Sequence, residues 1–291
     1  ITSVTLASDN STISVSFSVD PVYSTNSGSG ALDSADFVLS ISGGVATLTD
    51  TLPTSLSISG STYTLGIGLA GIPNGSEVLT VLPAENAIYD ATGNPSSATQ
   101  TNNSANLNDK AAPTIASVTT ASDNKSIAVT FSEGVFSTNG GSGVLDSVDF
   151  ALSITGGTAT LISTTPTEIS INNNIYTLGI SLSGTADGSE VLTVVPIESA
   201  IFDSVGNVAS TTQTNNTANL KDKTAPTVSS FKLESNNSAI EATFSEAVFS
   251  KSDGSGALET TDFVLTLQGG AATLSSATPS SISTSGNVYI L

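Results

Sequence analysis

The sequence predicts an all-β chain built of tandem antiparallel β-sandwiches, and three observations predict it. A segment of about 113 residues recurs along the chain. Within each copy, short runs alternate apolar with polar residues. Gly, Asn and Asp gather between those runs, and no stretch sustains a helical period.

The recurrence is legible by eye. The stretch PTIASVTTASDNKSIAVTFSEGVFST returns as PTVSSFKLESNNSAIEATFSEAVFSK, and the chain opens with the related ITSVTLASDNSTISVSFSVDPVYST. The offset is constant from Phe131 to Phe244, from Asp149 to Asp262 and from Tyr176 to Tyr289, and the first copy carries one extra residue near Pro21. The copies run from Ile1 to Leu107, from Ile115 to Leu220 and from Val228 onward, which divides the chain into repeats at 1–109, 110–222 and 223–291. Between them lie the linkers NDKAAPT and KDKTAPT. Pro113 and Pro226 fix φ and remove a donor, so stiff, extended junctions and a semi-rigid rod are expected.

The second copy shows the strands most plainly. Strand A is expected over Ile115–Thr120. Strand B follows over Ser126–Phe131, where Ile127, Val129 and Phe131 alternate with polar residues, as Ile13, Val15 and Phe17 do in the first copy. Strand C is Phe150–Ile154. Strand D is read as one long, wandering strand over Thr158–Ile171. Strands E (Ile175–Leu182), F (Glu190–Val195) and G (Asn207–Leu220) complete the copy. Gly156-Gly157, Asn172–Asn174 and Asp187-Gly188 supply turns. Seven short strands in about 110 residues are the signature of an immunoglobulin-like, Greek-key sandwich. The third copy stops at Leu291, the counterpart of Leu178, before the last two strands of the pattern. A sandwich without them would expose its core, and the expectation is that the natural chain continues; donation of strands by another chain is the alternative.

Composition narrows the chemistry. The chain has 291 residues, with 25 acids against six basic residues, all Lys, for a net charge of −19. Its hydrophobic content of 38% allows each copy a core. Nucleic acid and anionic membranes require a basic footprint, so cations are the natural counterpart here. With no Cys or His, disulfides, thiolate metal sites, thiol nucleophiles and the commonest general base are absent. No apolar run approaches the roughly 20 residues of a membrane helix, and no signal segment opens the sequence. Paired carboxylates could serve a glycosidase, but they fall on loops without a Trp platform, so catalysis is not expected. A Lys–Asn isopeptide staple would need a core lysine; the first copy has none before Lys110, and Lys125 falls in a turn.

At TFSEGVFS, DFALSITGG, AIFDSVGN and the DKTAPT junction, the sequence resembles the bacterial immunoglobulin-like (Big-type) repeats of giant surface adhesins, such as those of gliding or marine bacteria. The first copy departs from the pattern, with SVDP in place of the SE motif. The resemblance implies a secreted, extracellular cell-surface protein whose repeats act as a stalk or fibre, each bearing on its neighbours and projecting a separate binding region. Two alternatives follow from the same resemblance: the repeats bind a glycan, a surface or another cell directly, or they pack with other chains in a filament or surface layer.

The acids suggest a site. In an antiparallel sandwich the B–C, D–E and F–G loops share a pole with the start of strand A, facing the preceding linker. For the second copy that pole should gather Asp109, Glu133, Asp146, Asp149 and Asp203. The third copy should gather Asp222, Glu246, Glu259 and Asp262, and the first Asp20, Asp36 and Asp90, where no linker precedes and the site should be weaker. Converging carboxylates repel unless bridged, and hard oxygen ligands on loops suit Ca²⁺. The expectation is a junction calcium site with Asp109, Glu133, Asp149 and Asp203 as ligands; the alternative is a solvated loop surface whose acids cap turns. The triplets Asp33-Ser34-Ala35, Asp146-Ser147-Val148 and Asp203-Ser204-Val205 resemble an O-glycosylation acceptor pattern of some surface-living bacteria. The runs NSGSGALD and NGGSGVLD lack a strand-to-helix context and read as flexible B–C loops.

Overall fold

The computed structural model describes residues 1–291, and the chain is all-β: antiparallel ladders throughout, with three single-turn 3-10 helices as the only helical residues. No helix is long and apolar enough to cross a membrane. Two compact units divide it. The first comprises residues 1–155, 161–182 and 191–218, and the second 156–160, 183–190 and 219–291.

The first repeat holds β1 (Ser3–Leu6), β2 (Thr12–Ser16), β3 (Phe37–Ser42), β4 (Thr47–Leu48), β5 (Leu56–Ser59), β6 (Thr62–Gly66), β7 (Leu69–Ala70), β8 (Val78–Pro83) and β9 (Ser104–Asn106). They form sheets in the orders β1-β2-β6-β5 and β3-β8-β9, with a short β4-β7 ladder. Period-two alternation sends one set of side chains from each strand inward. Ile13 and Val15 of β2, Tyr63 and Leu65 of β6, Phe37 and Leu39 of β3, and Leu79 and Val81 of β8 thereby meet in one buried cluster drawn from both larger sheets. The opposite face of β2 and β6 is hydroxylic, with Ser14 and Thr64 hydrogen-bonded at 3.0 Å.

The second repeat repeats this plan with β10 (Ile115–Thr120), β11 (Ser126–Phe131), β12 (Phe150–Thr155), β13 (Thr160–Leu161), β14 (Ile169–Asn172), β15 (Ile175–Gly179), β16 (Leu182–Ser183), β17 (Val191–Pro196) and β18 (Thr217–Asn219). Its sheet orders are β10-β11-β15-β14 and β12-β17-β18, with β13-β16 beside them. In the lettering used above these are A-B-E-D and C-F-G, the grouping of a constant-type immunoglobulin domain. Phe131, Phe150 and Tyr176 pack ring to ring across the two sheets at centroid distances of 5.6–6.4 Å.

Strands A and B fall where the alternation places them, and C and F within a residue of it. Strand D does not run unbroken from Thr158 to Ile171. It is two pieces, β13 and β14, separated by a segment containing Pro166, which has no N–H to donate to a ladder. Strand E likewise breaks into β15 and β16. Strand G shrinks to β18, because Ser210–Asn216 is a polar run without apolar alternation.

The third repeat contributes β19 (Val228–Leu233), β20 (Ile240–Phe244), β21 (Ser283–Ser285) and β22 (Val288–Ile290), in one sheet of order β19-β20-β22-β21. The aromatic trio persists as Phe244, Phe263 and Tyr289. The segment matching β3 and β12 pairs with no strand, since nothing up to Leu291 corresponds to β8 or β17. Phe231 is 66% exposed and Val264 78%.

Candidate cation site at the repeat junction

Three of the expected ligands meet. Asp109 in the linker, Glu133 just beyond β11 and Asp203 in the loop between β17 and β18 each bring a carboxylate oxygen within 4.8 Å of the others. All three residues lie in the first compact unit.

Asp203 is the most firmly placed. It is 0% exposed, and its Oδ1 accepts backbone N–H bonds from Val205 (2.9 Å), Gly206 (2.7 Å) and Asn207 (2.8 Å). Its Oδ2 accepts from Asn207 Nδ2 at 2.6 Å, and the same amide donates to the linker carbonyl of Ala111 at 3.3 Å. One carboxylate thus builds the turn and ties it to the linker. Gly206, at φ +98°, supplies a conformation that side chains resist.

Asp109 uses Oδ1 to accept the Ala111 N–H at 2.8 Å, which closes a local turn. Glu133 lies two residues beyond Phe131, where the ladder of β11 with β10 ends. Burial first, then the charges of Asp109 and Asp203, push its carboxyl up to about 7. It is the charged form of this residue that the site destabilises.

The fourth expected ligand is elsewhere. Asp149 belongs to a 3-10 turn, Ser147–Asp149, in which its Oδ2 accepts the Asp146 N–H at 2.8 Å and Asp146 Oδ1 accepts the Val148 N–H at 2.8 Å. This reciprocal capping box makes Asp149 a turn cap. Asp36 and Asp262 do the same, receiving the N–H of Asp33 and of Glu259 at 2.8 Å. In the third repeat Asp222 and Glu246 are neighbours, and burial, the Asp222 charge and a shared hydrogen bond all raise the Glu246 carboxyl.

In the first repeat the acids do not converge. Asp20 accepts a 3.4 Å bond from the Tyr63 hydroxyl, beside a cis peptide to Pro21. Asp90 reproduces the Asp203 turn, accepting from Thr92 N and Asn94 N at 2.8 and 2.9 Å and from Asn94 Nδ2 at 2.7 Å, which holds its carboxyl below the usual carboxylate range. It is only half-buried, where Asp203 is fully buried.

The donor set fits a hard cation. Three carboxylates supply oxygen alone, from the linker, a strand end and a loop, and Asp109 and Glu133 keep oxygens free of backbone bonds. Asp203 would contribute Oδ2, with the remaining positions of a six- to eight-oxygen shell left to carbonyls or water.

Two buried acids escaped the sequence reading. Glu77 and Glu190 are both 0% exposed. Glu77 Oε1 accepts from Val45 N (2.8 Å) and Ala46 N (3.0 Å), and its Oε2 from Asn74 N (3.1 Å). Glu190 accepts from Thr158 N (2.9 Å), Ala159 N (2.8 Å), Asp187 N and Gly188 N (both 3.1 Å). Desolvation would raise both carboxyls, but the converging N–H groups hold them below their ordinary value. The signal was the pairing of Gly-Gly with a later Gly-Ser-Glu in both copies: a Cβ on Gly44 or Gly157 would stand 2.1 or 2.2 Å from the glutamate Cδ.

The sequence matches no protein-family model and no curated protein. Among solved structures, FdeC, described as a broadly conserved Escherichia coli adhesin, is similar over 96% of this chain and 82% of that one, at 16% identity and a TM-score of 0.27, a superposition too loose to equate the two folds.

Proposed function

We propose that the chain is a run of tandem immunoglobulin-like spacer modules from a secreted bacterial surface protein, without enzymatic activity, whose junctions are stiffened by calcium. The observation that carries this reading is the meeting of Asp109, Glu133 and Asp203, one from the linker and two from the repeat that follows it. A cation there bridges linker to module and offsets both the burial and the repulsion from Asp109 and Asp203 that raise the Glu133 carboxyl. The repeats supply length, and the junction supplies resistance to bending. Asp222 and Glu246 take the same part at the next junction.

The chain's lack of cysteine makes the test direct. Cysteines introduced at exposed Ser59 and Ser170, one in each of the first two repeats, accept spin labels. Millimolar Ca²⁺ should narrow the distribution of distances between the labels relative to chelator, and E133Q should abolish the narrowing. An unchanged distribution in the parent chain contradicts the stiffening role.

A further inference from the structure

The buried glutamates stand next to the linkers. Glu77 closes the turn Asn74-Gly75-Ser76, which Asn74 Oδ1 also ties by accepting Ser76 N at 3.1 Å. The linker crosses this turn under two backbone bonds. Leu107 N donates to Glu77 O at 2.9 Å, and Lys110 N donates to Pro73 O at 2.8 Å. Between those anchors Asp109 lies against Gly75 so closely that a Cβ on the glycine would stand 3.2 Å from Asp109 Cβ.

The next junction has the same construction, within the second compact unit. Leu220 N donates to Glu190 O at 3.0 Å and Lys223 N to Ala186 O at 2.8 Å. A Cβ on Gly188 would stand 3.1 Å from Asp222 Cβ. In both places the carboxylate gathers backbone N–H groups from two loops of one repeat, and the loop it closes is the floor on which the next repeat's linker aspartate rests.

We propose that Glu77 and Glu190 are positioning residues: each locks the loop that places the linker carboxylate, Asp109 or Asp222, for the cation site of the following repeat. This rests on the junction-site reading for its consequence but not for its geometry. Replacing the carboxylate by an amide turns one acceptor oxygen into a donor facing N–H groups, so the loop is released without emptying the cavity. Asn10 forms a separate clamp nearby, donating to Asn108 O at 2.8 Å and accepting from Asn108 N at 2.9 Å, so the linker backbone does not simply detach.

Hydrogen exchange and calcium titration on the full chain test the two halves separately. E77Q should speed exchange of the Lys110 and Leu107 amides at least tenfold while leaving those of Lys223 and Leu220 unchanged, and E190Q should do the reverse. E77Q should also weaken Ca²⁺ binding at the first junction about tenfold, with E190Q sparing it. In the unaltered chain, the amides of Val45, Ala46 and Lys110 should open together, a check that needs no variant to fold. Lys110 exchanging independently of Val45 and Ala46, or unaffected by E77Q, overturns the proposal. Normal latch behaviour in a chain that binds no Ca²⁺ instead overturns the junction-site reading and leaves the loop-locking role standing. Loss of the latch with undiminished Ca²⁺ affinity overturns the claim that it places Asp109.

Discussion

Glu133 carries its carboxyl beside two others in a partly buried place, and its behaviour follows from that crowding. Its proton is held to about 7 against an ordinary 4.5, so the folded protein binds more protons than the unfolded chain between those values. The stability that comes from the neutral form is complete below about pH 4.5 and is lost as pH rises through 7. Melting of the metal-free chain should therefore shift downward from pH 5 to pH 7.5, and E133Q should flatten that dependence. A parent profile no steeper than that of E133Q would contradict the assignment. Asp203 makes a different prediction. Its Oδ1 serves three N–H groups and its Oδ2 an amide, so D203N sets an NH₂ against a donor inside a closed turn. Denaturant unfolding should show a loss of about 1–3 kcal/mol, with the damage confined to the second repeat.

At the scale of elements, the loops are set by glycines and carboxylates acting in pairs. Gly157 holds φ at +59°, and a Cβ there would penetrate Glu190 at 2.2 Å. G157A should lower stability by about 2 kcal/mol or more, from backbone strain together with a displaced buried charge, whereas G134A, where a Cβ meets nothing, should change it little. Equal effects from the two would remove the latch as the explanation. Glu77 and Glu190 also oppose Glu133 in sign. Their carboxyls are depressed, so their contribution is present above about pH 4.5 and is lost as pH falls through their folded values.

What the sequence showed of these elements depended on how locally each was determined. Strands A, B, C and F carry alternation strong enough to place their ends to within a residue and to set their inward faces. Strand G carries almost none, since Ser210–Asn216 is polar throughout, and only tertiary pairing selects Thr217–Asn219. The site was half legible for the same reason. Antiparallel order placed Asp109, Glu133 and Asp203 at one pole. Asp149 shares that part of the sequence, but a local capping box claims its carboxylate before any long-range partner can. Glu190 carries only the signal of the first residue of a strand, because the N–H groups that hold it come from a loop 31–32 residues upstream in the chain.

At the scale of the molecule, the first two repeats share one plan of sheets, core and latch, and the carboxylates of Asp109, Glu133 and Asp203 meet where the linker enters the second. A chain of net charge −19 without a bridging cation leaves those acids to repel or protonate. With the cation, binding to the folded state alone stabilises it by about 2.7 kcal/mol at a hundred times the dissociation constant. The most direct measurement is therefore thermal melting of the full chain in chelator and in millimolar Ca²⁺, alongside E133Q. The parent melting temperature should rise with Ca²⁺ and that of E133Q should respond less; identical melting of the parent chain in chelator and in Ca²⁺ would contradict a calcium-held junction.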